Sequence, residues 1–233
     1  MIVNADCFDE LPKLDDNSID LIFCDLPFGI LKTEWECDID LDKLWIELKR
    51  VAKPTTPIFF CCNTKMGYKI MKSALVEFKY DLCWIKNTTS GHLLSGKRPL
   101  SQHELVYVFY DKQPYYNLSS HTREGKKSIK EYSFESAYGE KTIRQSKGKW
   151  SPPLPTSILE YTSSRKFHQT EKPVELIEWI VKYYSKEGDK VLDPTCGSGS
   201  SAIACKKLLR EYIGYEKDKK IYDIALERYD RET

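Results

Sequence analysis

The chain has 233 residues, 41% of them hydrophobic, with a mean hydropathy of −0.52 and a net charge of +1. That is enough apolar material for one large domain, whereas no apolar run approaches the roughly 18–20 residues of a membrane span and no signal-peptide layout opens the chain. Eight cysteines without paired Cys-x-x-Cys spacing exclude a disulfide scaffold and argue against a zinc site, so we expect reduced thiols, no metal and a cytosolic setting.

In chain order, Ile2-Val3 starts a short strand and Asp6 follows it. Residues 19–24 form a β-branched, aromatic-rich run that reads as a buried strand, and Asp25-Leu26-Pro27-Phe28 falls at its carboxyl end. Residues 38–51 carry helical apolar spacing at Leu41, Leu44, Trp45 and Leu48. Pro54 and Pro57 close that helix and lead into a second buried run at 58–62. A helix over 66–78 and strands over 80–85 and 105–110 follow. From 111 to 167 the periodicity disappears; Lys, Ser, Gly and Tyr dominate, and residues 150–155 make a rigid, proline-rich stretch. Regular alternation then resumes, with helices over 174–184, 200–209 and 218–228 and strands over 190–192 and 212–215. This pattern predicts one α/β domain over residues 1–233, with a mainly parallel sheet, helices on both faces and an insertion at 111–167.

The near-neutral total hides an uneven distribution. Residues 1–50 carry 13 acidic and 5 basic side chains, a balance of −8, whereas residues 86–172 carry 15 basic and 8 acidic, a balance of +7. A polyanionic partner needs such local positive charge, although a solvated lysine-rich loop region explains it equally well.

Two segments carry chemistry. The tetrapeptide at 25–28 offers a carboxylate, a backbone carbonyl and an aromatic face at the sheet edge where α/β folds bind ligands. It suits a planar ring with an exocyclic amine, whose two N–H groups the acceptors would hold while the ring stacks on Phe28. The second segment, Asp193-Pro194-Thr195-Cys196-Gly197-Ser198-Gly199-Ser200, reads as a strand end, a glycine turn and a helix start. Asp193 can accept from a ligand ammonium or hydroxyl. Glu216, about 20 residues on, ends the next strand, where an acid binds ribose hydroxyls. A full GxGxxG and a GxxxxGK[ST] cradle are both absent, so the fitting ligand is an adenosine derivative without a polyphosphate, such as S-adenosylmethionine. The plain alternative is a tight turn that only packs helix on strand.

These residues resemble the β-group of amino DNA methyltransferases, with permuted motif order. Asp25-Leu26-Pro27-Phe28 resembles the family's Asp-Pro-Pro-Tyr catalytic motif, and the turn at 193–200 resembles its cofactor loop. His168-Gln169-Thr170-Glu171-Lys172-Pro173 is similar to the His-x-Thr-x-Lys-Pro segment that helps hold the cofactor's methionine part. Weaker matches are Asp6, Trp84-Ile85-Lys86 and His103-Glu104. Leu26 stands where the family has its first proline and still supplies the backbone carbonyl; Phe28 replaces tyrosine and keeps the stacking face.

The resemblance implies a Rossmann-like methyltransferase fold with a mostly parallel seven-stranded sheet and S-adenosylmethionine as cofactor. It implies catalytic roles for Asp25, Leu26, Pro27 and Phe28. It implies cofactor binding by Asp6, Asp25, His168, Thr170, Lys172, Asp193, Thr195, Cys196, Gly197, Ser198, Gly199, Ser200 and Glu216, with Cys196 as a small packing residue and not a nucleophile. DNA is the implied partner, and the segment 111–167 takes the place of the target-recognition region. Lys126, Lys127, Lys130, Lys141, Arg144, Lys147 and Lys149 are then candidate DNA contacts, together with Lys86, Lys97 and Arg98. Trp35 borders the DNA in this reading, or is a buried packing residue. The expected setting is cytoplasmic, nucleoid-associated in a prokaryotic or phage-infected cell. A homodimer and a cognate restriction endonuclease are left open.

The expected reaction is site-specific methylation of adenine N6, because family members acting on cytosine N4 more often begin the catalytic motif with Ser. Cytosine-N4 transfer is the nearest alternative. RNA methylation, protein-amide methylation and a catalytically silent DNA-binding protein stand behind it.

Overall fold

The computed structural model describes residues 1–27, 39–118, 155–163 and 171–231, with the backbone of 131–135 and 141–145. Strands β1 (Ile2–Asn4), β2 (Leu21–Asp25), β3 (Ile58–Cys62), β4 (Phe78–Ser90) and β5 (Ser101–Phe109) come first in the chain. The later strands are β6 (Glu131–Glu135), β7 (Lys141–Gln145), β8 (Ile158–Glu160), β9 (Lys190–Asp193) and β10 (Glu211–Glu216). The helices are α1 (Cys7–Glu10), α2 (Leu41–Val51), α3 (Thr64–Ser73), α4 (Val174–Tyr184), α5 (Ser200–Lys207) and α6 (Lys219–Arg231).

The main sheet has the order β1-β10-β9-β2-β3-β5-β4-β8. Its first five members run parallel, β5 is antiparallel to both neighbours, and β8 pairs parallel with β4. The expected seven strands are therefore eight. The extra one is β8, three residues at the sheet edge, too short to show a period inside the segment where periodicity fails. The same brevity hides α1. Phe78, expected at a helix end, instead opens β4, because α3 stops at Ser73.

Alternation along the central strands explains the layers. Leu21 and Phe23 of β2 and Phe59 and Cys61 of β3 face one core with α4, α5 and α6. Ile22 and Cys24, with Ile58, Phe60 and Cys62, face a second core with α2 and α3. Strands buried on both faces read as continuous apolar runs, which is why 19–24 and 58–62 were legible. Trp45 anchors the second core: its ring lies 5.1 Å from Phe60 and 5.0 Å from Phe109, and its indole N–H donates to the Ile70 carbonyl at 3.2 Å. Helix starts are fixed by side-chain caps, Asp40 accepting from Lys43 N and Asn63 from Met66 N.

The chain divides into two units, one of Met1–Asn117 with Ser157–Thr233 and one of Leu118–Thr156. In the second, β6 and β7 pair antiparallel from Glu131↔Gln145 to Glu135↔Lys141. Among the described residues, no helix is long and apolar enough to cross a membrane.

Candidate active site

The chain leaves β2 toward β3 on one side and leaves β9 toward β10 on the other, so β2 and β9 flank the point where strand order reverses. Doubly wound sheets bind ligands beyond the carboxyl ends at such a point. A cavity of about 570 Å³ opens there, reached by Asp6, Asp25, Leu26, Asp193, Gly197 and Glu216 among others. Pro27, Lys172, Thr195, Cys196, Ser198 and Ser200 also line it. The two segments found in sequence thus face one space. They are tied directly: Thr195 Oγ1 donates to the Asp25 backbone carbonyl at 3.2 Å.

On the glycine-turn side, Asp193 and Glu216 are satisfied by neutral donors. Asp193 Oδ1 accepts from Thr195 N at 3.1 Å and Oδ2 from Ser201 Oγ at 2.5 Å. Burial still dominates and pushes its carboxyl up to about 7. Glu216 accepts from Gly197 N at 3.1 Å and from Asp218 N at 2.7 Å, one on each oxygen, leaving further lone pairs on both. Gly197 has φ +53° with nothing within 4 Å of where a Cβ would stand, so its backbone is open to the cavity. Gly199, at φ +81°, caps α5, and a Cβ there would come 3.2 Å from the Ala225 Cβ. Asp6 caps α1 through Phe8 N and pairs with Lys217 at 2.9 Å, which lowers its carboxyl. Burial raises the Cys196 thiol well above its usual range, so it stays neutral and packs.

On the β2 side the arrangement is ionic. The Lys172 ammonium, 5% exposed, lies 2.8 Å from Asp25 Oδ1 and 2.9 Å from Oδ2. It also sits 3.4 Å from Glu104 Oε2, and Glu104 Oε1 lies 3.0 Å from Lys86. Burial raises the Asp25 carboxyl, and Lys172 offsets that only in part. Burial opposes the charge on Lys172 too, yet Asp25 and Glu104 together raise its pKa, so it remains an ammonium. Glu104 is held low by Lys172 and Lys86 against its own burial.

Two features escaped the sequence reading. Glu104 is only a weak match to the family pattern, and its partnership with Lys172 has no local signature. Arg228 is buried on α6, donates to the Ser198 carbonyl and the Ser200 hydroxyl, and pairs with Glu171 at 2.9 Å. It clasps the glycine turn to the residue before Lys172, and nothing in a helical arginine announces that. Lys86, expected at DNA, is 11% exposed with its ammonium committed to Glu104, so it is no open phosphate contact. Lys97 and Arg98 are exposed on the β4–β5 connection. Lys141 and Arg144 lie on β7. Phe28, Trp35, Lys126, Lys127, Lys130, Lys147, Lys149, His168 and Thr170 lie outside the described residues.

Topology and strand-end cavity define a Rossmann-like α/β protein that carries its ligand at a switch point. The family model for N6/N4 methyltransferases, described as DNA methylase, matches residues 19–227. The type II methyltransferase M.HinfI of Haemophilus influenzae is 27% identical over 263 residues, covering 97% of this chain and 67% of that protein. Among solved structures, an M1.HpyAVI–SAM complex matches with a TM-score of 0.64 at 22% identity, covering 98% of both chains. The cytosine-N4-specific PvuII DNA methyltransferase matches with a TM-score of 0.72 at 14% identity, over 97% of this chain and 85% of that one. Both structural likenesses speak for the fold. The chain belongs to the N6/N4 DNA methylase family and is an amino DNA methyltransferase.

Proposed function

We propose that this enzyme methylates the N6 amine of a flipped adenine within a specific DNA site, with S-adenosylmethionine as the methyl donor. The observation that carries the reading is Asp25, ionically held at the end of β2 and facing the same cavity as the glycine turn.

The cavity suits the donor. Gly197 presents open backbone, Glu216 keeps free lone pairs for two ribose hydroxyls, and Asp193 ends the adjoining strand. Thr195, Cys196, Ser198, Gly199 and Ser200 shape the turn around it, Asp6 lines the same cavity, and His168 and Thr170 are assigned to the methionine part by the family resemblance alone. When bound, S-adenosylmethionine supplies an electrophilic methyl on a sulfonium. We assign Lys172 to Asp25 and not to the cofactor, because its ammonium already spans both Asp25 oxygens.

Adenine's exocyclic amine is a weak nucleophile because its lone pair is shared with the ring. The Asp25 carboxylate and the Leu26 carbonyl accept its two N–H groups and favour a more tetrahedral nitrogen. Pro27 stiffens the turn that presents them, and Phe28 stacks on the extruded base. Alignment of this kind contributes roughly 7–11 kcal/mol in well-oriented systems. Positive charge developing on nitrogen is stabilised by Asp25. The nitrogen then sheds a proton, and Asp25, whose proton affinity burial has raised, is the acceptor bonded to it.

Residues 111–167, with Lys126, Lys127, Lys130, Lys141, Arg144, Lys147 and Lys149, form the target-recognition region in this reading, with Trp35 at the DNA border. Most of these cations would meet phosphates and give salt-sensitive binding. A cytoplasmic site of action and a cognate restriction endonuclease follow by analogy with relatives named type II methyltransferases. Transfer of labelled methyl to duplex DNA, followed by digestion to nucleosides, tests the assignment. N6-methyladenine is expected; N4-methylcytosine alone overturns the choice of base, and label found only on structured RNA overturns the choice of substrate.

A further inference from the structure

The β4–β5 connection carries apolar and basic side chains that the proposed chemistry leaves unused. Register places it at the active edge of the sheet. Cys62, the last residue of β3, pairs with Leu105, so Glu104 is the first residue of β5 beyond that edge. Glu104 is also the residue that meets Lys172, the partner of Asp25. The hairpin continues to the Ser90↔Ser101 pair, about 10 Å further at ~3.3 Å per residue, and β5 lies two strands, about 10 Å, to the side of β2. The tip therefore overhangs the edge on which Asp25 opens.

The tip is an ordered knob. Gly91 turns the chain at φ +90°, and Leu94 N donates to the Gly91 carbonyl at 2.9 Å. Ser95 N bonds to His92 O, and Lys97 N and Arg98 N both bond to Leu94 O. This closed turn holds Leu93 at 101% exposure and Leu94 at 41%, and neither belongs to either hydrophobic core. Lys97 and Arg98 stand exposed beside them, and residues 87–103 contain no carboxylate.

We propose that this tip is a DNA wedge, with Leu93 and Leu94 entering the base stack beside the extruded nucleotide and Lys97 and Arg98 holding flanking phosphates. The inference rests on the DNA methylation reading above and adds the device that opens the duplex. A flipped base leaves a gap in the stack, and apolar side chains inserted between base steps hold such a distortion open. The cations give the polyanion its attraction, and the absence of carboxylates removes repulsion.

Because both leucines are exposed, the double variant Leu93→Ala/Leu94→Ala keeps the fold, which circular dichroism checks. Methyl transfer is measured on duplexes with adenine at the target, paired normally or opposite an abasic nucleotide. Flipping is read on matching duplexes with 2-aminopurine there, which brightens on unstacking but has no N6 amine to methylate. On the paired duplexes we expect the variant to lose roughly tenfold or more in kcat/KM with adenine and most of the fluorescence rise with 2-aminopurine. It should come within about twofold of wild type opposite the abasic nucleotide, where no base pair holds the target in the helix. Equal losses on both duplexes overturn the wedge and leave a mere binding contact; no loss on either overturns it outright. A fall in sedimentation mass with unaltered fluorescence overturns it in favour of contact with a second copy. Wild-type enzyme that methylates neither duplex overturns the DNA reading itself, and the wedge with it.

Discussion

The two halves of the cavity stabilise buried carboxylates in opposite ways. Asp193 and Glu216, around the glycine turn, are surrounded by backbone N–H groups and a hydroxyl, whereas Asp25 and Glu104 share the ammonium of Lys172. Dipoles leave a carboxylate with spare lone pairs and only partly offset the burial that raises its proton affinity, suited to accepting bonds from a neutral nucleoside. A buried ammonium favours the ionised carboxylate against its burial and fixes its orientation, suited to charge developing on a substrate nitrogen. In the proposed function one half binds and the other reacts, and each substitution below probes that division.

The largest effect is expected from Asp25→Ala, which should lower methyl transfer by about 10²–10³-fold or more while cofactor affinity stays near wild type. Equal loss of cofactor binding, read by calorimetry, would break the comparison. Lys172→Gln leaves two carboxylates facing each other without their shared cation. Removing one member of a buried pair costs about 3–5 kcal/mol, so a lower denaturant midpoint is expected, with partial recovery in Lys172→Arg.

A subtler probe is the acid limb of the rate profile. In the proposed mechanism Asp25 must be ionised to accept the amine, and its raised pKa then places the loss of activity above the usual carboxylate range as pH falls. Glu104→Gln removes a like charge that raises Asp25, so the limb should move to lower pH; an unmoved limb would detach Glu104 from Asp25.

Asp193 behaves differently. Its folded pKa of about 7 exceeds the ordinary 3.8, so its contribution to stability is present below the ordinary value and lost as pH rises through about 7. Asp193→Asn should therefore gain stability relative to wild type as pH rises from about 4 to about 7 and keep that gain above it, read as paired urea midpoints. The smallest effect is Gly197→Ala, about 1 kcal/mol of left-handed backbone strain with space for the methyl, appearing mainly as weaker cofactor binding. Gly199→Ala should cost more, because its methyl also meets Ala225.

Both short segments that define the cavity were legible in the chain, because the signals are local. The apolar run that ends at Asp25 and the strand–Asp–glycine–helix pattern at 193–200 need only neighbours in sequence. The buried strands at 19–24 and 58–62 stood out for the same reason, since a strand covered on both faces is apolar throughout. The failures were equally physical. β8 is three residues long, and the segment that holds it has no period to read.

Sequence alone therefore determined the α/β class, the resemblance, and the residues at each strand end, since these follow from local periodicity and from residue types at fixed spacing. Tertiary structure alone decided who neutralises whom. Lys172 reaches Asp25 across 147 positions, Glu104 joins them from the neighbouring hairpin, and Arg228 ties the glycine turn to Glu171 from the last helix. Such pairings are set by how elements pack, and a buried charge takes the partner that packing brings within reach, so a one-dimensional pattern cannot carry them.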